Sequence, residues 1–339
     1  MIMSLQVLLS STTDHNVTPS ACGSLRSVSI CIPVGRSPRF VGAILSQLAT
    51  QAFPGPVFLA WYSEDLGREL GTLAKDFRAR GLDVDTVRGP GSYAPNLRNI
   101  AVQEVRTPWC LFLDDDVVLG ESYLETLRAI LEHCAEPIVV QGAAFLAANH
   151  SSWLARCEAR LSRARLEAYR EGETIRLCDA RNLLIPTAIV RRIGFDEELG
   201  LGSEGHVLTW HLIAERTRIL YVEELFVSHY HRSSPAALAR QKFNHGRGRV
   251  HANRRLPEAG FKRSFRSLWD LFWRHGLGPL RYWWASRISL DLLPYAIATA
   301  AMFCAGMLWE ISRISWSTRT GHRGTKLPPA DANPTEASR

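Results

Sequence analysis

Apolar residues in the first third of the chain follow two alternating spacings. Short apolar or alternating runs predict strands, whereas apolar residues spaced i, i+3, i+4 and i+7 predict amphipathic helices. The predicted elements are strand 27–33, helix 40–51, strand 57–62, helix 66–79, strand 82–87, helix 96–105 and strand 109–113. This alternation predicts an α/β fold, with a mainly parallel, Rossmann-like sheet and flanking helices.

The middle of the chain continues with further helices and short strands. The patterns predict helices 122–134, 151–169, 189–193 and 207–215, and strands 138–141, 179–186, 218–222 and 225–229. Ser122 and Glu125 have the spacing of a capping box at the start of the first of these helices. No internal repeat is visible in the sequence.

The C-terminal part changes character. Residues 268–284 contain four of the ten tryptophans, interleaved with Arg274 and Arg281, which is typical of a helix lying in a bilayer interface. Residues 292–309 then carry no formal charge, and as a helix they would reach about 27 Å, near the minimum for spanning a membrane. The alternative is a buried core helix. We therefore expect an interfacial segment at 252–287, a transmembrane helix at 288–312 and a disordered tail at 313–339, while residues 1–26 form a loose extension.

Charge is concentrated in one region. The net charge is +7, but residues 232–287 carry 13 Lys or Arg against 2 acidic residues, a local excess of +11 that leaves −4 for the remaining chain. Such a region needs phosphate, nucleic acid or an anionic membrane surface as a partner. No nucleic-acid motif accompanies it, so nucleic acid is not an expected partner.

The seven cysteines are odd in number, scattered, and never spaced as C-x-x-C. They predict neither a disulfide framework nor a zinc site and fit a reducing compartment. The N-terminal residues lack the basic region and the small-residue cleavage site of a secretory signal, so none is expected.

Three consecutive carboxylates follow the predicted strand 109–113. Asp114, Asp115 and Asp116 would lie at the C-terminal end of a central strand, which is where open α/β sheets bind ligands. Adjacent carboxylates repel one another, and a divalent cation with a preference for oxygen ligands, Mg²⁺ or Mn²⁺, relieves that repulsion. The alternative is a solvated acidic turn.

Five short motifs in order resemble the family-2 glycosyltransferases of the GT-A fold. The motifs are Ile32-Pro33, Arg98-Asn99, Phe112-Leu113-Asp114-Asp115-Asp116, Gly194-Phe195-Asp196-Glu197 and Val227-Ser228-His229-Tyr230-His231. The resemblance covers residues 27–251. It implies metal-dependent transfer of a sugar, usually with inversion, from a nucleotide-sugar donor to a glycan, lipid-linked or small-molecule acceptor.

The resemblance also implies roles for individual residues. Asp116 would ligate the metal, Asp114 would contact ribose or metal, and His229 would be a further ligand, although a lone histidine is more often structural. The remaining residues expected at the donor are Pro33, Arg98, Asn99, Asp115 and Arg247. The attached helices would place the enzyme on the cytoplasmic face of a membrane with a single-pass C-terminal anchor.

The chain departs from the family pattern at two places. An aspartate that serves as general base in the family is expected at position 205, where this chain has glycine, so Glu204 or His206 would have to accept the proton. The acid expected near the donor base is missing at Ala60 and Trp61. These departures leave open a catalytically impaired protein that binds a nucleotide or glycan or acts as a scaffold. Nucleotidyl transfer is a further alternative, although Gly35 begins only a weak match to its glycine-rich loop.

Overall fold

The computed structural model describes residues 24–35, 38–133, 138–256, 272–285 and 290–319. The strands are β1 Val28–Pro33, β2 Val57–Trp61, β3 Val84–Arg88, β4 Trp109–Leu113, β5 Val117–Leu119, β6 Val139–Ala147, β7 Arg170–Glu171, β8 Thr174–Ile175, β9 Asn182–Pro186 and β10 Ile219–His229. The helices are α1 Pro38–Thr50, α2 Glu64–Ala79, α3 Ala94–Glu104, α4 Tyr123–His133, α5 Trp153–Tyr169, α6 Thr187–Ile193, α7 Glu204–Ala214, α8 Pro235–Arg255, α9 Gly278–Ala285 and α10 Leu293–Arg319. The first 23 residues of the predicted extension, residues 257–271 of the interfacial segment and the tail beyond 319 lie outside the described residues.

A single sheet organises the domain. Its strand order is β3-β2-β1-β4-β9-β6-β10-β8-β7, and β5 pairs with β10. Strands β3, β2, β1 and β4 run parallel, as do β6 and β10, whereas β9 is antiparallel to both of its neighbours. The predicted α/β fold, with a mainly parallel central sheet and flanking helices, is confirmed.

The central parallel strands β1, β2 and β4 are buried on both faces because helices cover both sides. All five residues of β4 are buried, and separate apolar clusters occupy the two faces of the sheet. One cluster contains Ile30, Leu59 and Leu111, and the other contains Cys31 and Phe112, as expected for side chains that alternate along a strand.

The four strands predicted for the middle of the chain have different bounds in the structure. The predicted strand 138–141 continues to Ala147, and the two last predicted strands are one strand, β10, whose pairing with β6 shifts register between Val222 and Phe226 and again before Ser228. The predicted strand 179–186 begins only at Asn182. Asp179 forms a turn that accepts hydrogen bonds from Asn182 N and Arg181 N, which takes these residues out of the strand.

Helix α10 packs against helix α8. A Cβ atom built at Gly246 of α8 would lie 2.0 Å from the carbonyl oxygen of Phe303, and one at Gly306 of α10 would lie 2.0 Å from that of Phe243. The two backbones therefore cross in direct contact at these glycines. Within the described residues, the stretch Leu290–Trp316 is the one helix long and apolar enough to cross a membrane.

Candidate active site

The C-terminal ends of β1, β4 and β10 meet at the candidate site. The backbone N–H of Gly35, just after β1, donates to Asp115 Oδ2 at 2.8 Å. The backbone N–H of Tyr230, just after β10, donates to the carbonyl oxygen of Asp116 at 2.9 Å. These two bonds tie the acidic triplet after β4 to the ends of both other strands. Pro33 ends β1 and is buried beside Ala60 of β2.

Asp114, Asp116 and His229 come together as a possible metal-ligand set. One ligand atom from each of the three residues lies within 4.8 Å of the others, and Asp116 and His229 are only 3% and 7% exposed. His229 Nε2 lies 2.9 Å from Asp116 Oδ1, a contact that needs a proton or a cation between the two atoms. His229 Nδ1 lies 3.3 Å from His231 Nδ1, which orients the ring. Two carboxylates and an imidazole fit Mg²⁺ or Mn²⁺ in donor type.

Arg98 connects this triplet to the start of α7. Its guanidinium donates to Asp114 Oδ1 at 2.8 Å and to Glu204 Oε1 at 2.9 Å, and the residue is 3% exposed. Burial acts to lower the pKa of Arg98, but the two carboxylates outweigh burial and raise the pKa above its usual value. One buried cation thus joins the two regions that the sequence assigned to the donor and to the proton acceptor.

Asn99 and Asp115 make contacts within the protein. The Asn99 side chain accepts from Phe195 N and donates to Phe195 O, both at 2.8 Å, and it also donates to Glu197. Asn99 therefore holds the turn after Gly194, whose φ of 69° suits glycine. Asp115 accepts from Gly35 and so faces the loop after β1.

The region around residue 205 has no room for the side chain that the family pattern expects. Gly202 and Ser203 have φ angles of 91° and 79° and lead into α7. A Cβ atom at Gly205 would lie 2.3 Å from the carbonyl oxygen of Cys178, far inside van der Waals contact. His206 Nε2 is in contact with a guanidinium nitrogen of Arg249. Both candidate proton acceptors, Glu204 and His206, therefore meet a buried arginine.

Arg247 faces α10. Its Nε donates to Glu310 Oε2 at 2.8 Å, and the fully buried Glu310 also meets His251 at 3.0 Å and accepts a hydrogen bond from Arg313. In this arrangement the Arg247 guanidinium serves the packing of α8 against α10.

The structure adds buried polar groups that the sequence reasoning did not select. Arg181 forms an ion pair with Asp179, whose pKa is lowered because Arg181 and Arg165 outweigh the effect of burial. Lys242 of α8 pairs with Glu158 of α5. Burial lowers the pKa of His231 to about 3. Arg181 follows Asp179 in the Asp-Ala-Arg-Asn stretch before β9, and that pairing of opposite charges was the only signal that the sequence offered.

Trp61, which stands where the family pattern expects an acid near the donor base, packs within the protein. A Cβ atom built at Gly67 would lie only 2.5 Å from the indole ring of Trp61, so the ring packs directly on the Gly67 backbone. The Arg88 guanidinium lies 5.6 Å from the ring centroid. This packing agrees with the core position that is usual for an aromatic residue at a strand end.

Comparison with known proteins is consistent with this geometry. The family profile described as "Glycosyltransferase like family 2" matches residues 26–248. The solved structure described as "Mannosyltransferase PcManGT from Pyrobaculum calidifontis in complex with GDP-Man and Mn2+" is similar with a TM-score of 0.60 and 11% identity, covering 91% of this chain and 95% of that chain. TarS from S. aureus is similar with a TM-score of 0.44 and 16% identity, covering 80% of this chain and 54% of that chain. No curated protein sequence matches this chain.

Proposed function

The chain belongs to glycosyltransferase family 2, and from that premise we propose that it transfers a sugar from a nucleotide-sugar donor to an acceptor, with inversion and with a divalent cation. The observation that carries the proposal is the meeting of Asp114, Asp116 and His229 at the ends of β4 and β10. The family assignment supports a transferase with the GT-A fold. Metal dependence and inversion are proposals that rest on the donor set and on the resemblance.

Asp114, Asp116 and His229 would hold Mg²⁺ or Mn²⁺. Bound there, the cation supplies Lewis-acid stabilisation to the diphosphate leaving group. The mannosyltransferase of similar fold was solved with GDP-Man and Mn²⁺, which supports GDP-mannose with Mn²⁺ as the first donor to test. Arg98 adds a fixed positive charge beside Asp114 and can offset the charge that develops on the leaving group. Pro33, Asn99, Asp115 and Arg247 have roles in the protein's own packing, so we assign donor contact first to Arg98 and Asp114.

A hydroxyl acceptor would also need a group that takes its proton. Glu204 and His206 are the candidates, because position 205 has no space for a carboxylate. One Glu204 oxygen already accepts a hydrogen bond from Arg98, so proton transfer to Glu204 would use its other oxygen.

The metal proposal is tested with Asp116→Asn, which removes one negative ligand and keeps the shape of the side chain. We expect at least about a 100-fold loss of transfer and a loss of Mn²⁺ binding, because the Lewis acid is no longer held. The exposed Asp83→Asn is the matched control and should behave as wild type. Full activity of Asp116→Asn, or of wild type in excess chelator, would rule out the metal-dependent mechanism.

We also propose that α10 and the segment before it attach the protein to a membrane surface on the cytoplasmic side. Large apolar side chains are exposed on one face of α10 and in the segment before it, namely Ile297, Met302, Leu308, Trp309, Trp316, Trp273, Trp284 and Leu290. The five described cysteines are free, which supports a reducing compartment. Glu310, which pairs with Arg247 of α8 and contacts His251, favours a helix that lies in the interface over one that spans the bilayer.

The rival function is a nucleotide- or glycan-binding protein without turnover, and Gly205 is the observation in its favour. Calorimetry separates the two. Nucleotide binding without transfer from any of a panel of donors would support the binding protein, whereas transfer from one donor would exclude it.

A further inference from the structure

Arg249 of α8 is a buried cation that pairs with no carboxylate in the part of the chain that the structure describes. The residue is 8% exposed, its guanidinium contacts His206 Nε2, and its Nε has no hydrogen-bond partner. No carboxylate among the described residues pairs with it. Burying an unpaired charge is costly, so such a residue needs an anion from elsewhere.

Four other buried or nearly buried cations differ from Arg249 in their pairing. Arg98, Arg181, Lys242 and Arg247 each pair with at least one carboxylate inside the protein. Burial lowers the pKa of Arg249 to about 10, so the residue still carries its charge at neutral pH.

Two tyrosines, a histidine and a second arginine lie around Arg249, and that arginine, Arg165, also pairs with Asp179 at 3.4 Å. The hydroxyl groups of Tyr169 and Tyr282 lie 3.4 Å apart, and the ring of Tyr169 lies 6.3 Å from that of His206, centroid to centroid. Arg165 is close enough to affect the pKa of Arg249, and its Nε is also buried without a partner. Hydroxyl, imidazole and guanidinium N–H groups are the donors that a phosphate group accepts from.

This anion subsite adjoins the candidate active site. His206 lies two residues after Glu204, which Arg98 joins to Asp114. Gly248, next to Arg249, is in such close contact with the carbonyl oxygens of Leu201 and Gly202 that a Cβ atom would lie 2.6 Å from the nearer one. Helix α8 is therefore fixed against the loop that leads into α7, and Arg249 is held on the side where the family pattern places the proton acceptor.

Two features have one common explanation: glycine replaces the expected aspartate at position 205, and Arg249 pairs with no carboxylate among the described residues. A hydroxyl acceptor must lose a proton to a base, whereas a phosphomonoester, with a second pKa of about 6, is already a dianion at neutral pH. We propose that Arg249 and His206 bind the phosphate group of a phosphomonoester acceptor and that an oxygen of this phosphate is the nucleophile. The inference rests on the proposed glycosyl transfer.

The step balances without a proton acceptor. A bond forms between the acceptor phosphate oxygen and the anomeric carbon of the sugar, and the bond from that carbon to the donor diphosphate oxygen breaks. The electron pair leaves with the nucleoside diphosphate. The product is a glycosyl phosphodiester of the acceptor.

The first test measures binding of inorganic phosphate to the full-length protein without any donor. Phosphate should raise the Tm of wild type by roughly 2–4 °C at saturating concentration. Arg249→Met, which keeps an unbranched apolar stem and removes the guanidinium and its charge, should bind phosphate at least about tenfold more weakly. Arg240→Met removes the same charge from an exposed position of the same helix and should behave as wild type.

A purely structural role for Arg249 predicts a different result. Arg249→Met would then be less stable than wild type in phosphate-free buffer, whereas an unpaired buried charge predicts equal or greater stability on its removal. Arg249→Lys should restore part of the phosphate response. An unchanged phosphate response in Arg249→Met, or no response in wild type, would overturn the subsite.

Adding GDP or UDP with Mn²⁺ tests whether Arg249 binds the phosphate of the acceptor or the diphosphate of the donor. An acceptor subsite remains open to inorganic phosphate in the presence of nucleotide, and Arg249→Met changes nucleotide affinity less than about twofold. Competition between nucleotide and phosphate, together with weaker nucleotide binding by Arg249→Met, would assign Arg249 to the donor diphosphate and overturn the acceptor assignment.

Turnover then tests the nucleophile. With a donor found by screening, octyl phosphate should accept sugar and octanol should not. Transfer to octanol alone would overturn the phosphate acceptor. Absence of turnover with every donor would instead count against the proposed glycosyl transfer, while the phosphate-binding result would still decide the subsite.

Discussion

Arg98 shows how one side chain unites the site. It is the only residue in the described part of the chain that forms ion pairs with both the acidic triplet and the start of α7. Its two partners, Asp114 and Glu204, lie far apart in the sequence. A buried guanidinium can donate hydrogen bonds to both carboxylates because its N–H groups form a fixed fork. Loss of Arg98 would leave two carboxylates without their cation, so its substitution should disturb the site itself as well as the proposed contact with the donor.

Position 205 is fixed as glycine by its neighbour. Restoring a side chain with Gly205→Ala should destabilise the protein by about 2 kcal/mol or more, because the Cβ atom would meet the Cys178 carbonyl oxygen at 2.3 Å. Gly205→Asp should lose stability without gaining activity, although it recreates the family pattern. Urea denaturation measures the change.

Gly71→Ala is the matched control for this prediction. Gly71 lies in helix α2, and nothing lies within 4 Å of the Cβ position. Alanine there should be neutral or stabilise by up to about 1 kcal/mol, as alanine does in exposed helix positions. Equal effects at the two positions would contradict the steric explanation.

At the scale of elements, α8 connects the site to the C-terminal helix. One side of α8 carries Arg249 toward α7, and the other side carries Arg247 toward Glu310 of α10. Lys242 of α8 and Tyr295 of α10 both bond to Glu158 of α5. Helix α10 therefore completes the packing of α8 on the domain, and its removal would expose the apolar and charged groups that it covers.

The crossing at Gly306 should be intolerant of any side chain. Gly306→Val forces α10 away from the Phe243 carbonyl oxygen and should destabilise the protein by about 2–3 kcal/mol. Ala305→Val, at the exposed neighbouring position of the same helix, should have a much smaller effect. Denaturation midpoints of the two variants measure the difference, and a tolerant Gly306 would show that the helices do not cross here.

At the scale of the whole molecule, α10 has two different faces. Its inner stripe, with Tyr295, Ala296, Met307 and Glu310, is buried against the domain, while apolar side chains such as Trp309, 58% exposed, cover the outer side. An exposed apolar face beside a basic segment is typical of a protein that lies on an anionic membrane.

Membrane attachment should depend on this outer face. The double variant Leu308→Gln/Trp309→Gln should partition onto anionic vesicles at least about tenfold more weakly than wild type, since burial of two large apolar side chains is lost. Ile213→Gln, an exposed apolar position on α7, is the control and should not change partitioning. Release of wild type by alkaline carbonate would support an interfacial helix, and resistance to release would favour a spanning one.

Local patterns were sufficient for the first four strands of the sheet and for the acidic triplet. Apolar periodicity depends on neighbouring residues, so β1, β2, β4 and their intervening helices followed directly from it. The position of Asp114–Asp116 after a buried strand predicted their place at the sheet edge, because the chain direction of a parallel strand decides which end faces the ligand. The ordered motifs extended this to the family.

Pairings between distant residues were decided only by the tertiary structure. Three contacts join residues 43 to 106 positions apart in the chain, namely Glu204 with Arg98, Glu310 with Arg247 and His206 with Arg249. The packing of α10 on α8 likewise joins distant segments. By composition, α10 is apolar enough to span a membrane. Hydropathy alone does not show which residues pack against a helix, so the contact with α8 was not predicted. Local sequence therefore determined the first four strands, their helices and the acidic edge. The close approach of backbone at Gly205 and the burial of Arg249 arise from packing between segments that no local pattern connects.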